Sequence, residues 1–244
     1  MKLDGKSAIV TGAGSGIGQA IAECFAREGA LVVTVGRDGG KLEAARAAAG
    51  GAGRRITPRP LDVSDPDAVR DLMEWTVSDR GSIDILVNNA GVNVPRRSLE
   101  QLSPEDFDKM VRINLSGAFY CIHEVLPPMR AQGGGVIINI SSIAGVRASP
   151  IGGAGYTASK FGLSGLSLTT GMEEGKNGIR CCMLCPGEVN TPILENRPVV
   201  PGAERRAKML QPEDLAQAAL LVATLPARAM IPELIMTPTI QPYG

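Results

Sequence analysis

The apolar run Ser7-Ala8-Ile9-Val10 leads into Thr11-Gly12-Ala13-Gly14-Ser15-Gly16-Ile17-Gly18, and a helical pattern begins inside that turn. The glycines fall as G-x-x-x-G-x-G rather than G-x-G-x-x-G, because the sixth position counted from Gly12 is Ile17. Gly12 suits a tight turn. Gly16 lets backbone N–H groups approach a pyrophosphate, and Gly18 lets the helix pack close to the sheet. The helix N-terminus, with Ser15 and Ile17 in its first turn, adds unpaired donors and partial positive charge. Such a turn is also compatible with a strand–helix connection that binds nothing.

Outward from that turn, short β-branched runs recur at 7–11, 31–35, 55–61, 83–87, 135–140, 179–184 and near 233–236. Helical patterns separate them at 17–28, 38–49, 66–79, 104–132, 155–174 and 212–225. Ser64-Asp65-Pro66-Asp67 and Ser103-Pro104-Glu105-Asp106 each place a capping residue before a helix-starting proline and acids. Uniformly apolar strands alternating with helices predict a parallel sheet covered on both faces. With right-handed crossovers this is an α/β, Rossmann-like, doubly wound sheet of about seven strands. At about 150 residues per domain, 244 residues are read as a single domain, 1–244. Ligands in such sheets bind beyond the carboxyl ends of the strands.

Lys and Arg total 25 and Asp and Glu total 25, so the formal charge is zero. That argues against a nucleic-acid partner, which demands excess cations. The apolar stretches are too short to cross a bilayer, and the first residues lack the apolar core of a signal peptide. Five cysteines in a chain of this length do not make a disulfide framework, so the expectation is a reduced, cytoplasmic protein.

The second strand closes on Val35-Gly36-Arg37-Asp38. A carboxylate at this strand end would accept from the ribose 2′-hydroxyl of NAD. Here Arg37 follows Gly36, and a guanidinium can pair bidentately with the 2′-phosphate of NADP. The reading is therefore NADP, with NAD as the alternative. The competing account leaves Arg37 solvated and has Asp38 merely cap the next helix.

Tyr156-Thr157-Ala158-Ser159-Lys160 opens a helical segment, and the spacing of four puts the phenol and the amine on one face. A free phenol ionises near pH 10. A neighbouring ammonium and an oxidised nicotinamide favour phenolate; lowering the pKa by about three units needs only about 4 kcal/mol. Fourteen residues before Tyr156, Ser142 follows an apolar strand, where its hydroxyl can bond a substrate oxygen. Asn114 lies on an apolar helical stretch; a buried amide there needs partners, and a water leading to Lys160 is one candidate.

Taken in order, Thr11-Gly12-x-x-x-Gly16-x-Gly18, Asp62-Val63, Asn88-Asn89-Ala90-Gly91, Asn114, Ser142, Tyr156-x-x-x-Lys160 and Pro186-Gly187 followed by Thr191-Pro192 make this chain resemble the short-chain dehydrogenase/reductase family over nearly its whole length. The resemblance implies an NAD(P)-dependent oxidoreductase that moves a hydride between nicotinamide and a secondary alcohol or ketone, without metal. It implies Tyr156 as general acid/base, with Lys160 lowering its pKa and binding the nicotinamide ribose. Ser142 would polarise the carbonyl and Asn114 would hold a relay water, with Ser141 competing for the place of Ser142. Asp62 and Val63 would contact adenine. Asn89, Ala90 and Gly91 would shape the ribose floor, and Pro186, Gly187, Val189 and Thr191 would lie near the nicotinamide and diphosphate. The segment at about 192–212 would be a substrate lid, and the long helices at 104–132 and 155–174 would pair in a homodimer or homotetramer.

The tail Pro232-Glu233-Leu234-Ile235-Met236-Thr237-Pro238-Thr239-Ile240-Gln241-Pro242-Tyr243-Gly244 departs from the Val-Asp-Gly-Gly-like ending of relatives that reduce acyl-carrier thioesters. It looks more like the subgroup acting on small hydroxy acids and similar alcohols. Ser15 stands where some NADP-preferring relatives carry Lys or Arg, so NADP rests on Arg37. A 3-oxoacyl-thioester reductase, a non-catalytic nucleotide-binding regulator, and a dehydratase or epimerase on the same fold are the alternatives. Cys182 and Cys185 are three apart on a strand and point to opposite faces, which suits core residues rather than a metal or redox pair. His123 lies about 900° along the helix from Asn114, on its far side. Trp75 is read as packing. Arg96-Arg97 and Arg205-Arg206 are solvated charges or a lure for an anionic substrate.

Overall fold

Seven strands pair in parallel: β1 (Ser7–Thr11), β2 (Leu31–Gly36), β3 (Ile56–Pro60), β4 (Ile85–Asn88), β5 (Gly135–Ile140), β6 (Ile179–Pro186) and β7 (Glu233–Met236). Their order is β3-β2-β1-β4-β5-β6-β7, so the winding reverses between β1 and β4. The computed structural model describes residues 1–148 and 150–241. The last three residues of the tail, 242–244, lie outside the described residues.

Alternation along the strands builds two apolar layers. Ala8, Val10, Val32, Val87, Ile138 and Leu184 face one side, where α1 (Gly16–Arg27) and α8 (Pro212–Thr224) cover them through Phe25, Ile21 and Leu215. Ile9, Val33, Leu86, Ile137 and Cys181 face the other side, under α3 (Pro66–Arg80) and α5 (Gly117–Ala131). Burying each large side chain contributes roughly 1.5–3 kcal/mol. Cys181 and Cys182 fall in opposite layers, and all five cysteines are free. Among the described residues, no helix is long and apolar enough to cross a membrane.

Side-chain caps set several helix starts. Asp65 caps α3 by accepting from the N–H of Asp67 and Ala68, with Pro66 at the first position. Ser103 does the same for α4 (Pro104–Val111), accepting from Asp106 N–H at 3.1 Å. Asp38 caps α2 (Gly39–Ala48).

The structure differs from the sequence reading at several boundaries. The helical pattern at 104–132 is α4 and α5 joined by a π-wound turn, Arg112–Ser116, that carries Asn114. No hydrophobic period marks such a change of winding, because the chain remains helical through it. A 3-10 turn, Gly50–Arg55, delays β3, and β6 runs on to Pro186. The segment at 192–212 holds a 3-10 turn, Pro192–Asn196, and α7 (Ala203–Ala207).

Candidate active site

At the carboxyl end of β1, the Thr11 hydroxyl accepts from the backbone N–H of Asn89 and Ala90, both at 3.0 Å. Asn89 returns its side-chain amide to the carbonyls of Thr11 and Gly12 at 3.0 and 3.1 Å. These bonds lock the glycine turn to the end of β4. A Cβ on Gly18 would lie 2.4 Å from Asn89 Nδ2 and 2.5 Å from the Gly12 carbonyl oxygen, so glycine is required there. Gly16 has φ +58, and a Cβ on it would meet Thr191 Cγ2 at 3.1 Å. Ser15 occupies the N-cap of α1 but its side chain caps nothing, and the first turn holds no acid. The first N–H groups of α1 are thus not satisfied by a capping side chain, an arrangement suited to a diphosphate.

Two hollows meet at this turn and share Gly12 and Gly91. The smaller is lined by Gly36, Arg37, Asp62, Val63, Ala90 and Val92. Arg37 is exposed at its rim. Asp38 is engaged elsewhere, accepting from Lys41 N–H at 3.1 Å, and Asp62 accepts from the Ser64 N–H and hydroxyl at 3.0 and 2.8 Å. The larger hollow is a cavity of about 420 Å³. Ser15, Gly16 and Ile17 line one wall, Pro186, Gly187, Val189 and Thr191 another, and Ser142, Tyr156 and Lys160 reach it from a third. The glycine cradle and the two joined hollows fit an extended dinucleotide.

Both serines line the cavity, but their bonds differ. Ser141 is buried, donating to the Lys160 carbonyl at 3.3 Å and lying 3.2 Å from Ser164 Oγ. Ser142 accepts from Ala144 N–H at 3.1 Å and faces the Tyr156 phenol from the cavity wall. Asn114 lies just behind the cavity, on the π-wound turn. Its oxygen accepts from Val92 N–H at 2.8 Å, and its two N–H groups go to the Val92 carbonyl and Ser159 Oγ, both at 3.0 Å. Protein groups thus take both N–H groups of an amide for which the sequence reading named a water as one candidate partner. The side chain ties the β4 exit loop to α6 (Ala154–Glu174).

Lys160 is 4% exposed; its Nζ donates to the Ile140 carbonyl at 2.7 Å and sits 5.6 Å from the centre of the Tyr156 ring. Burial pushes its pKa down to about 8. Burial also pushes the Tyr156 phenol up. The Ser142 hydroxyl opposes that rise, as do the positive charges of Arg97 and Arg197. Desolvating the phenolate outweighs the nearby charges, and the amine is itself desolvated.

Three arginines complete the far wall, and the sequence reading had grouped them differently. Arg96 is exposed, whereas Arg97 is 6% exposed and lines the cavity. Arg197, which drew no attention in the sequence, pairs with Glu188 at 2.6 Å, and Arg205 pairs with the same carboxylate at 3.0 Å. Burial would raise the Glu188 pKa, but the two guanidinium partners hold it below the ordinary carboxylate value. Arg206 instead pairs with Glu195. Away from the site, Trp75 carries the Arg59 guanidinium 3.5 Å above its ring, and His123 is exposed beside Glu124.

Residues 6–199 match the family model of the short chain dehydrogenases. The chain belongs to the short-chain dehydrogenase family. It is 39% identical over 197 residues to a 3beta-hydroxysteroid dehydrogenase of Mediterraneibacter gnavus, covering 80% of this chain and 70% of that protein. Its fold matches a 3-ketoacyl-(acyl-carrier-protein) reductase from Brucella melitensis complexed with NADH at TM-score 0.88 and 31% identity, over 97% of this chain and 98% of that one. A metagenomic short-chain oxidoreductase in complex with NADP matches at TM-score 0.85 and 33% identity, over 98% and 100%. This short-chain dehydrogenase is accordingly an oxidoreductase that uses a nicotinamide cofactor.

Proposed function

We propose that this short-chain dehydrogenase is an NADP-dependent enzyme interconverting a secondary alcohol and a ketone, with Tyr156 as its acid/base. The observation that carries the reading is the convergence of Ser142, Tyr156 and Lys160 on one cavity beside the glycine cradle. The bound dinucleotide supplies the hydride donor or acceptor. The turn from Gly12 to Gly18 holds its diphosphate, with Thr191 alongside. Asp62 and Val63 flank the base, and Asn89, Ala90 and Gly91 floor the ribose. Pro186, Gly187 and Val189 wall the nicotinamide end.

A phenol raised by burial is protonated at neutral pH, and in that form it donates its proton to the carbonyl oxygen during reduction. Ser142 holds the same oxygen by a hydrogen bond. In the oxidative direction the proton must leave, and the charges of Arg97, Arg197 and Lys160 then favour the phenolate. Asn114 positions the loop that carries Gly91 and Val92 and offers the remaining lone pair of its oxygen to a relay water.

Arg37 supports NADP over NAD, because Asp38 is engaged at the α2 cap and Arg37 stands at the hollow's rim. The 192–212 segment acts as the substrate lid, contributing Pro192, Ile193 and Leu194 to the cavity. Five free cysteines suit a reducing compartment, which we take to be the cytoplasm. The protein works as a homo-oligomer, a dimer or tetramer.

The test is Tyr156→Phe, assayed with NADPH across a panel of ketones. Turnover is expected to fall by about two orders of magnitude or more, while NADPH still binds by fluorescence titration. Undiminished turnover removes Tyr156 from the chemistry.

A further inference from the structure

Arg97 stands out because it is a buried cation facing the cavity with no acidic partner among the described residues. Its Nε donates to the Val94 carbonyl at 2.9 Å, one Nη to the Ile151 carbonyl at 3.0 Å, and the other Nη to the Asn196 carbonyl. All three acceptors are neutral. A guanidinium has five N–H groups, so one remains on each terminal nitrogen. Two N–H groups are thereby left over for the oxygens of an anion.

The surroundings add positive charge. Arg197 and Arg205 share one carboxylate, Glu188, so that trio carries a net +1. Among the described residues lining the cavity, Glu188 is the only acid, against Arg97, Arg197, Arg205 and Lys160. Buried charges in proteins are ordinarily paired, and here the missing partner is an anion. Arg97 also sits against the start of the catalytic helix: a Cβ on Gly153, three residues before Tyr156, would lie 2.6 Å from Arg97 Cβ. Its charge opposes the upward push of burial on the Tyr156 phenol.

We infer that Arg97, backed by Arg197, receives a carboxylate of the substrate, so that this enzyme acts on a hydroxy acid and its keto acid rather than on a neutral alcohol. This deepens the oxidoreductase reading above and rests on it. The anion would hold the reacting carbon in place by a second, charged anchor, while Ser142 and Tyr156 hold its oxygen. It would also offset part of the pocket's excess positive charge, so neutral substrates are at a disadvantage even where they fit.

The full chain with NADPH is assayed on 2-oxobutanoate, 3-oxobutanoate and 4-oxopentanoate, each against its methyl ester. At least one acid is expected to exceed its ester in kcat/KM by about tenfold or more, the scale of one charge-assisted hydrogen bond. Arg97→Gln is expected to lower that acid-to-ester ratio at least about tenfold, an effect that loosened packing alone does not produce. Because Arg97 also joins three loops, a second measurement uses the wild type: calorimetric binding of butanoate against butanamide to the NADP-saturated enzyme. Tighter butanoate supports the assignment even if the variant does not fold. Equal binding, with esters turned over as well as acids, overturns it. Methyl phosphate binding more tightly than butanoate overturns the carboxylate assignment in favour of a phosphoryl group. Tyr156-dependent turnover of neutral ketones with no preference for acids removes the anion site and spares the oxidoreductase reading. Butanoate binding without turnover of any ketone does the reverse.

Discussion

Arg37 and Asp38 are adjacent, yet the fold separates their roles. Asp38 turns back to accept from the Lys41 N–H in the first turn of α2, while Arg37 stays exposed beside the smaller hollow. A charge-assisted contact to a phosphate is worth about 1.5–3 kcal/mol. Arg37→Ala should therefore weaken NADPH binding by about tenfold or more and leave NADH less affected. Titrating both nucleotides checks this; an unchanged affinity ratio would remove Arg37 from the account. Arg96 and Arg97 make the opposite point. Their side chains read alike in the sequence, but a turn of the loop exposes one and buries the other. Ser141 and Ser142 likewise both line the cavity, yet their hydroxyls bond different partners.

At the scale of elements, α6 carries both ends of the argument. Its first turns present Tyr156 and Lys160, and its last residue, Glu174, anchors it to α5. Glu174 accepts from Arg130 Nε at 2.9 Å and from Asn177 Nδ2 at 2.8 Å. The Arg130 bonds hold its carboxyl down at about 2, against an ordinary value of 4.5. A carboxyl lowered in the fold contributes stability above its unfolded pKa and loses it as pH falls toward the folded value. Glu174→Gln should therefore destabilise the protein at pH 7 and flatten its acid unfolding between pH 4.5 and about 2. Thermal melts across that window check the sign; a loss of stability that is the same at pH 2 and pH 7 would contradict it. Close packing of α6 also depends on small residues. A Cβ on Gly155 would strike Met110 Cε at 2.4 Å, and one on Gly162 would strike Leu115 Cδ2 at 2.7 Å.

At the scale of the molecule, the same helices leave apolar side chains uncovered. Phe119 on α5 is 46% exposed and Phe161 on α6 is 43% exposed, with Met172 further along α6 at 83%. Burying such side chains against a second copy would stabilise an assembly by roughly 1.5–3 kcal/mol each when burial is complete. Sedimentation should show a dimer or tetramer, and Phe161→Glu should shift it toward monomer. A wild-type monomer at micromolar concentration would refute the proposed assembly.

Much of this architecture was legible before any coordinates. Strand periodicity, the turn from Gly12 to Gly18 and the Tyr156–Lys160 spacing are local patterns, and local patterns survive in a linear sequence. They named the sheet, its winding and the residues at its carboxyl edge. The π-wound turn at Asn114, the sharing of Glu188 by two arginines, the burial of Arg97 and the raised Tyr156 phenol were not legible. Each depends on which distant segments come together and how much water they exclude. Charge and pKa answer to that surrounding dielectric and to partners up to about a hundred residues away, as with Arg97 and Asn196.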